Sequence, residues 1–288
     1  MIGSVVVVGA SLAGMHAAHT LRREGFDGRV SVVDADDATP YDRPPLSKQL
    51  LAGEWDPDRI VLPAAREDLD LDLHLGRRAM GLDRVERLVR LDGGDRLGFD
   101  GLVVATGASA RGLPRSEELD GVHVLRTLDD CLRLRTALDD HPSRVVVVGA
   151  GFIGAEVAAT CRGRGLEVTL LEAAPVPLER SLGPMVGAVM ADVHRDHGVD
   201  VRLGVGVDGL EGADHVEGVR LADGSVIEAE VVVIGIGVTP NVGWLAGSGL
   251  NVDDGVVCDD TLLAAPGVVA AGDVARWPSA RYGEYLRV

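Results

Sequence analysis

The chain has 288 residues, 46% hydrophobic, 25% charged and 3% aromatic, with 38 glycines and a formal net charge of −17. That apolar content excludes a mostly disordered chain, and at roughly 100–200 residues per domain the length suits two domains. The acidic surplus argues against a general nucleic-acid binder and against docking on an anionic membrane surface.

Taken in chain order, residues 5–14 read VVVVGASLAG, a β-branched run that ends in a glycine turn. A continuous β-branched run suits a parallel strand buried on both faces. No basic stretch precedes an apolar one here, so no signal peptide is read. A helix is expected over 13–24 and a second strand over 30–33, with Asp34 and Asp36 near its end. Residues 35–45 turn acidic and then proline-rich. Weak alternation over 70–75 and 87–92 predicts a small antiparallel sheet, and 102–107 (LVVATG) predicts another buried strand. The stretch 111–121 reads as a crossover between domains. Residues 145–154, VVVVGAGFIG, then repeat the opening segment 140 positions later. A helix over 154–165 and a strand over 168–171 follow, ending at Glu172. Alternation over 199–203 and 216–221 predicts a second appended antiparallel sheet. Residues 231–237 (VVVIGIG) match 102–107 with an offset of 130, and a second crossover falls near 239–241. Strand, glycine turn, helix, strand is a βαβ unit, and it occurs twice. The expected fold is α/β, with two doubly wound nucleotide-binding domains, the second inserted in the first. Residues 1–112 and 240–288 form one domain, and 113–239 form the other.

Gly149-Ala150-Gly151-Phe152-Ile153-Gly154 is a full GxGxxG. Its glycines allow the turn, the approach of a pyrophosphate and close helix packing, while the helix N-terminus offers N–H groups to phosphate. Glu172 lies 18 positions after Gly154, close to the ~20 expected for an acid on a ribose 2′-hydroxyl. No arginine follows until Arg180, so NADH is favoured over NADPH. The first turn, Gly9 to Gly14, carries Ser11 at the middle position, and its ribose acid is either Asp34 or Asp36. Lys48, in Tyr41-Asp42-Arg43-Pro44-Pro45-Leu46-Ser47-Lys48, is the chain's one lysine among 28 lysine and arginine residues. Cys131, Cys161 and Cys258 show no metal or disulfide spacing, which suits a reduced, cytoplasmic protein. His194 and His197 have a possible ligand spacing without a third ligand, so a solvated helix face is expected there and no metal site. Arg77, Arg78, Arg84, Arg87 and Arg90 either steer an acidic partner or cover an exposed sheet.

Five landmarks stand in order: GASLAG at 9–14, YDRPPLSK at 41–48, ATG at 105–107, GAGFIGAE at 149–156 and AAGDVA at 270–275. On these the chain resembles the FAD-dependent pyridine-nucleotide reductases, specifically the ferredoxin reductases of Rieske oxygenase and cytochrome monooxygenase systems. The resemblance implies a glutathione-reductase-like arrangement binding FAD and NADH. It places the FAD pyrophosphate on Gly9, Ser11, Leu12, Ala13 and Gly14, and its ribose near Asp34 or Asp36. Counting back from 41–48 puts the family's acid at 35 or 36, and position 35 is Ala35. Further FAD contacts implied are Arg43, Lys48, backbone at Ala79, the turn Ala105-Thr106-Gly107, Arg126, Gly272, and Asp273 on the ribityl chain. NADH is implied at Gly149, Gly151, Phe152, Ile153, Gly154, Glu172 and Gly237. Lys48 and Glu156 are implied as a catalytic pair beside the flavin. Related disulfide reductases carry CxxxxC where this chain has RPPLSK, so no dithiol relay is expected.

The implied function is transfer of hydride from NADH to FAD and of single electrons onward to a ferredoxin-type iron–sulfur partner. The competing readings are an NADH oxidase or other flavin-dependent NADH dehydrogenase, and a non-catalytic nucleotide-binding or redox-sensing protein. A monomer is favoured. In the family the segment matching 282–288 continues into an interface domain of ~100 residues, an ordinary domain size, which this chain is expected to lack.

Overall fold

The repeat read from the sequence becomes two parallel sheets. The computed structural model describes residues 2–287, in two bodies of different sequence make-up. The first comprises the chain up to Asp42, Ile60–Ser109, and the chain from Thr239 onward; the second comprises Arg43–Arg59 and Ala110–Val238.

In the first body six strands lie in the order Leu263–Ala265, Val268–Ala270, Gly101–Val104, Ser4–Val8, Arg29–Val33, Leu71–His74. Every neighbouring pair is parallel except the hairpin at the Leu263–Ala265 edge. In the second body five parallel strands run Asp200–Leu203, Val168–Glu172, Val145–Val148, Val231–Ile234, Val122–Val124. The valine runs at the centre are buried throughout, none of Val145, Val146, Val147 and Val148 exceeding 4% exposure. Helices Leu12–Arg23 and Phe152–Gly163 follow the glycine turns in the two bodies. Each sheet changes winding direction beside its glycine-turn strand, which has the next strand of its βαβ unit on one side and a later strand on the other. Ligands of open α/β sheets bind at the carboxyl ends of the strands at such a switch point.

Two strands expected in appended sheets lie elsewhere. Residues 70–75 supply Leu71–His74 and residues 199–203 supply Asp200–Leu203, and each pairs in parallel at the edge of a main sheet. Both are half-exposed edge strands, so their sequences alternate weakly as an antiparallel surface strand would. The other two expectations hold: Leu88–Leu91 and Val216–Leu221 are the middle strands of three-stranded antiparallel sheets.

The stretch Arg43–Arg59 packs with the second body although the chain on both sides of it belongs to the first. It carries Leu46, Leu50 and Leu51, none more than 3% exposed. Among the described residues no helix is long and apolar enough to cross a membrane.

The helix Phe152–Gly163 offers an internal comparison. A Cβ at Gly154 would lie 1.8 Å from the Gly149 carbonyl oxygen, whereas a Cβ at Gly163 meets nothing within 4 Å. Gly154→Ala should therefore destabilise the chain by about 3 kcal/mol through overpacking against backbone. Gly163→Ala should be neutral or stabilising by up to about 1 kcal/mol. Urea unfolding followed by circular dichroism separates the two, and equal midpoints would refute the assignment of Gly154 to a close approach.

Candidate functional site

The two glycine turns are built by the same hydrogen bonds. Gly9 N–H donates to Val33 O at 2.7 Å and Ala105 N–H to Val8 O at 2.8 Å; in the second body Gly149 donates to Leu171 O at 2.8 Å and Gly235 to Val148 O at 2.7 Å. Both glycines have positive φ, +113° and +96°. A Cβ at Gly9 would stand 2.1 Å from Ala105 O, and one at Gly149 2.4 Å from Gly235 O. Only glycine fits there, on conformation and on space. A Cβ at Gly14 would likewise reach to 1.7 Å from Gly9 O.

Gly151 is different: a Cβ there would meet nothing within 4 Å. Its missing side chain answers to no protein atom, and it caps the helix that starts at Phe152. Open space before a helix N-terminus is what a pyrophosphate requires, so the second turn fits a dinucleotide. Phe152, Ile153 and Ile236 rim it, 53%, 41% and 38% exposed. Gly237 has φ +103° with open space beside it. In the first turn Ser11 caps the helix in extended conformation, and Leu12 is 56% exposed.

The acids at the strand ends are held alike. Asp34 Oδ2 accepts from Ala10 N–H at 2.5 Å and Oδ1 from Asp36 N–H at 2.9 Å. Glu172 Oε2 accepts from Ala150 N–H at 2.7 Å and Oε1 from Ala174 N–H at 2.9 Å. Asp34 is thus the structural counterpart of Glu172. Asp36 is occupied otherwise, accepting from Ala38 N–H and from the Tyr41 hydroxyl at 2.8 Å.

The late GD pair comes back to the first turn. Gly272 has φ +74°, and a Cβ on it would lie 2.9 Å from the Ala13 Cβ, so Gly272-Asp273 sits over the start of the first glycine helix. The Ala105-Thr106-Gly107 turn is stapled by Asn241. Thr106 Oγ1 donates to Asn241 O at 2.8 Å, Asn241 Nδ2 donates to Thr106 O at 3.0 Å, and Asn241 N–H donates to Gly107 O at 2.9 Å. Ala79 opens the strand Ala79–Asp83 and is buried.

In the second body the Pro44–Ser47 turn carries residues 43–48 of the motif onto two helices. Lys48 Nζ donates to Glu156 Oε2 at 2.8 Å. Arg43 donates to the Arg126 carbonyl at 3.1 Å. Arg126 precedes a capping box at the start of Leu128–Asp139: the Asp130 carboxylate accepts from Arg126 N–H and Thr127 N–H, and Thr127 Oγ1 accepts from Asp130 N–H. The T-x-x-D pattern at 127–130 was a signal for this cap. Asn241 and Asp130 were both missed as partners of site residues.

Other candidates resolve into structure. His194 is 5% exposed and its pKa is lowered by burial, so it belongs to the packed side of its helix rather than a solvated face. His197 Nδ1 lies 2.8 Å from Val193 O. Of the arginine cluster, Arg77 pairs with Asp92 at 3.0 Å and Asp95 at 2.7 Å, and Arg84 donates to the carbonyl of Gly249 at 2.8 Å. Those two lie among sheet and loop partners.

A family model described as pyridine nucleotide-disulphide oxidoreductase matches residues 3–284. The chain is 39% identical over 280 residues to rhodocoxin reductase of Rhodococcus erythropolis, covering 96% of this chain and 65% of that protein. It is 40% identical over 288 residues to the ferredoxin–NAD(+) reductase component of the biphenyl dioxygenase system of Paraburkholderia xenovorans (strain LB400), covering 99% and 70%. Among solved structures it is similar to the covalent putidaredoxin reductase–putidaredoxin complex, with a TM-score of 0.94 and 36% identity over 99% of this chain and 71% of that one. The chain thus spans about two thirds of the length of these relatives.

Cys131, Cys161 and Cys258 are unpaired and buried. Burial pushes the Cys131 thiol up to about 11 and the Cys161 thiol up to about 12, and raises Cys258 as well. The thiolate is the reactive form. A thiol reagent at pH 8 should therefore leave the native chain unlabelled and label all three cysteines in guanidinium. Rapid modification of any of them in the native chain would contradict this burial.

Proposed function

The chain belongs to the pyridine nucleotide-disulphide oxidoreductase family, and from that premise we propose that it is an NADH-dependent flavoprotein reductase serving a ferredoxin-type iron–sulfur partner. We assign FAD to the domain formed by 1–112 and 240–288, and NADH to 113–239. Bound FAD supplies the conversion of a two-electron hydride input into single-electron output. The observation that carries this reading is the Lys48–Glu156 ion pair, standing in the motif where related disulfide reductases carry cysteines.

The chain's own residues then do four things. Gly9, Ser11, Leu12, Ala13 and Gly14 receive the FAD pyrophosphate, with Gly272 and Asp273 beside them. Asp34 accepts from the ribose, since its carboxylate is set as that of Glu172 is. By family resemblance Arg43, Lys48 and Arg126 match FAD-contacting positions, as do the turn Ala105-Thr106-Gly107 and the backbone at Ala79, the last toward the adenine. Gly149, Gly151, Phe152, Ile153, Gly154 and Gly237 receive NADH, while Lys48 and Glu156 orient the nicotinamide and set the charge around it.

Glu172 carries the preference for NADH. Two backbone N–H groups hold its two oxygens, so the carboxylate has no easy way to swing from a 2′-phosphate. Each oxygen keeps a lone pair for a ribose hydroxyl. We place the protein in the cytoplasm, where reduced pyridine nucleotide is available.

After reconstitution with FAD, stopped-flow reduction by NADH should be at least about tenfold faster than by NADPH, a difference of ~1.4 kcal/mol. Glu172→Ala should narrow that ratio. Faster reduction by NADPH would overturn the role of Glu172, and a chain that takes up no FAD would overturn the enzyme reading. Electron delivery to a [2Fe–2S] ferredoxin, set against oxygen consumption, decides between a reductase and an oxidase.

A further inference from the structure

We propose that Ser47 is a positioning residue for the Glu156 carboxylate, and that Thr160 holds Ser47 where that task requires it. This rests on the reading of Lys48 and Glu156 as site residues. Ser47 is 1% exposed, so its hydroxyl needs a protein partner. It donates to Glu156 Oε2 at 2.5 Å, the oxygen that also receives Lys48 Nζ at 2.8 Å.

The ion pair alone is poorly suited to fix the carboxylate. Its side chains are 38% and 33% exposed, and a half-exposed pair between long, flexible side chains holds its geometry weakly. Ser47, by contrast, is rigid. It ends a turn that begins Pro44-Pro45, whose rings fix φ at two successive residues. The Ser47 carbonyl accepts from Thr160 Oγ1 at 2.7 Å, and the neighbouring Leu46 carbonyl accepts from the Cys131 thiol at 3.1 Å. Glu156 and Thr160 are four residues apart on one helix, so their side chains share a face. That face grips one residue twice with opposite polarity: the carboxylate accepts a hydrogen bond from the Ser47 hydroxyl, and the Thr160 hydroxyl donates one to the Ser47 carbonyl. Ser47 and Lys48 therefore divide the work on one oxygen, the buried donor setting its position and the mobile ammonium supplying charge.

Lys48 is the chain's one lysine, which provides a readout independent of turnover. Acetylation by an N-hydroxysuccinimide ester, followed by peptide mass spectrometry, reports how firmly its amine is engaged. Ser47→Ala should raise the acetylation rate several-fold, as should Glu156→Gln, and the double variant should add nothing further. In the FAD-reconstituted chain, Ser47→Ala should slow reduction by NADH about tenfold, the scale of one charge-assisted hydrogen bond. That loss should vanish in the Glu156→Gln background. Thr160→Val, which keeps shape and removes the hydroxyl, should shift both readouts in the same direction by less, and it carries the test should Ser47→Ala melt early.

Parent-like acetylation and reduction in both Ser47→Ala and Thr160→Val would overturn the proposal. So would a loss of equal size in the Glu156→Gln background, which is the mark of a purely structural residue. If Glu156→Gln itself leaves reduction and NAD+ affinity unchanged, the reading of Glu156 fails instead, and acetylation still decides whether Ser47 positions it.

Discussion

Everything in both bodies hangs on a bare α-carbon. At Gly9 and Gly149 the backbone bends at positive φ so tightly that the place of a side chain is taken by a carbonyl oxygen of the neighbouring strand's end. That approach lets strand, turn and helix pack with no gap, which aims the helix N-terminus at the carboxyl edge of the sheet. The same approach brings Ala105 and Gly235 into each site, because theirs are the oxygens that a Cβ would strike. A second layer reinforces the bend, since the acids Asp34 and Glu172 tie down the next amide in each turn. One small steric fact thus fixes the turn and the start of the following helix in both bodies.

The fold was legible where burial was complete. The runs at 5–8, 102–104, 145–148 and 231–234 are apolar on both faces, and nothing but a central parallel strand explains such a run beside a glycine turn. The sequence failed at the edges. Leu71–His74 and Asp200–Leu203 have one face in solvent, and their patterns resemble those of antiparallel strands because the same half-burial produces both. The two helices that follow the glycine turns were read to within two residues, because each turn is a sharp mark, whereas the helices Leu128–Asp139 and Glu179–Asp196 were not read at all.

The site was legible in kind and only partly in detail. Residue types and spacing marked both glycine turns and left Asp34 and Asp36 as equals. Register separates them: Val33 lies opposite Val8 as Leu171 lies opposite Val148, which makes Asp34 the counterpart of Glu172. Asp130 acts within its own capping box, a local T-x-x-D signal that was passed over, whereas Asn241 and Ser47, which hold site residues in place, were not legible because each acts across more than a hundred positions. Their chemistry is ordinary. Only folding reveals what they touch.

The placement of Arg43–Arg59 has a consequence in time. Its partners Cys131, Glu156, Thr160 and Arg164 lie 85 to 113 positions downstream. At synthesis rates of ~5–20 residues per second, the strap leaves the ribosome on the order of 5–20 s before the last of them exists. Through that interval Leu46, Leu50 and Leu51 have no core to enter. The second βαβ unit must be made before the first half of the chain can finish folding, so the nascent protein carries an apolar segment on deposit, a natural client for a chaperone and a natural point of early aggregation.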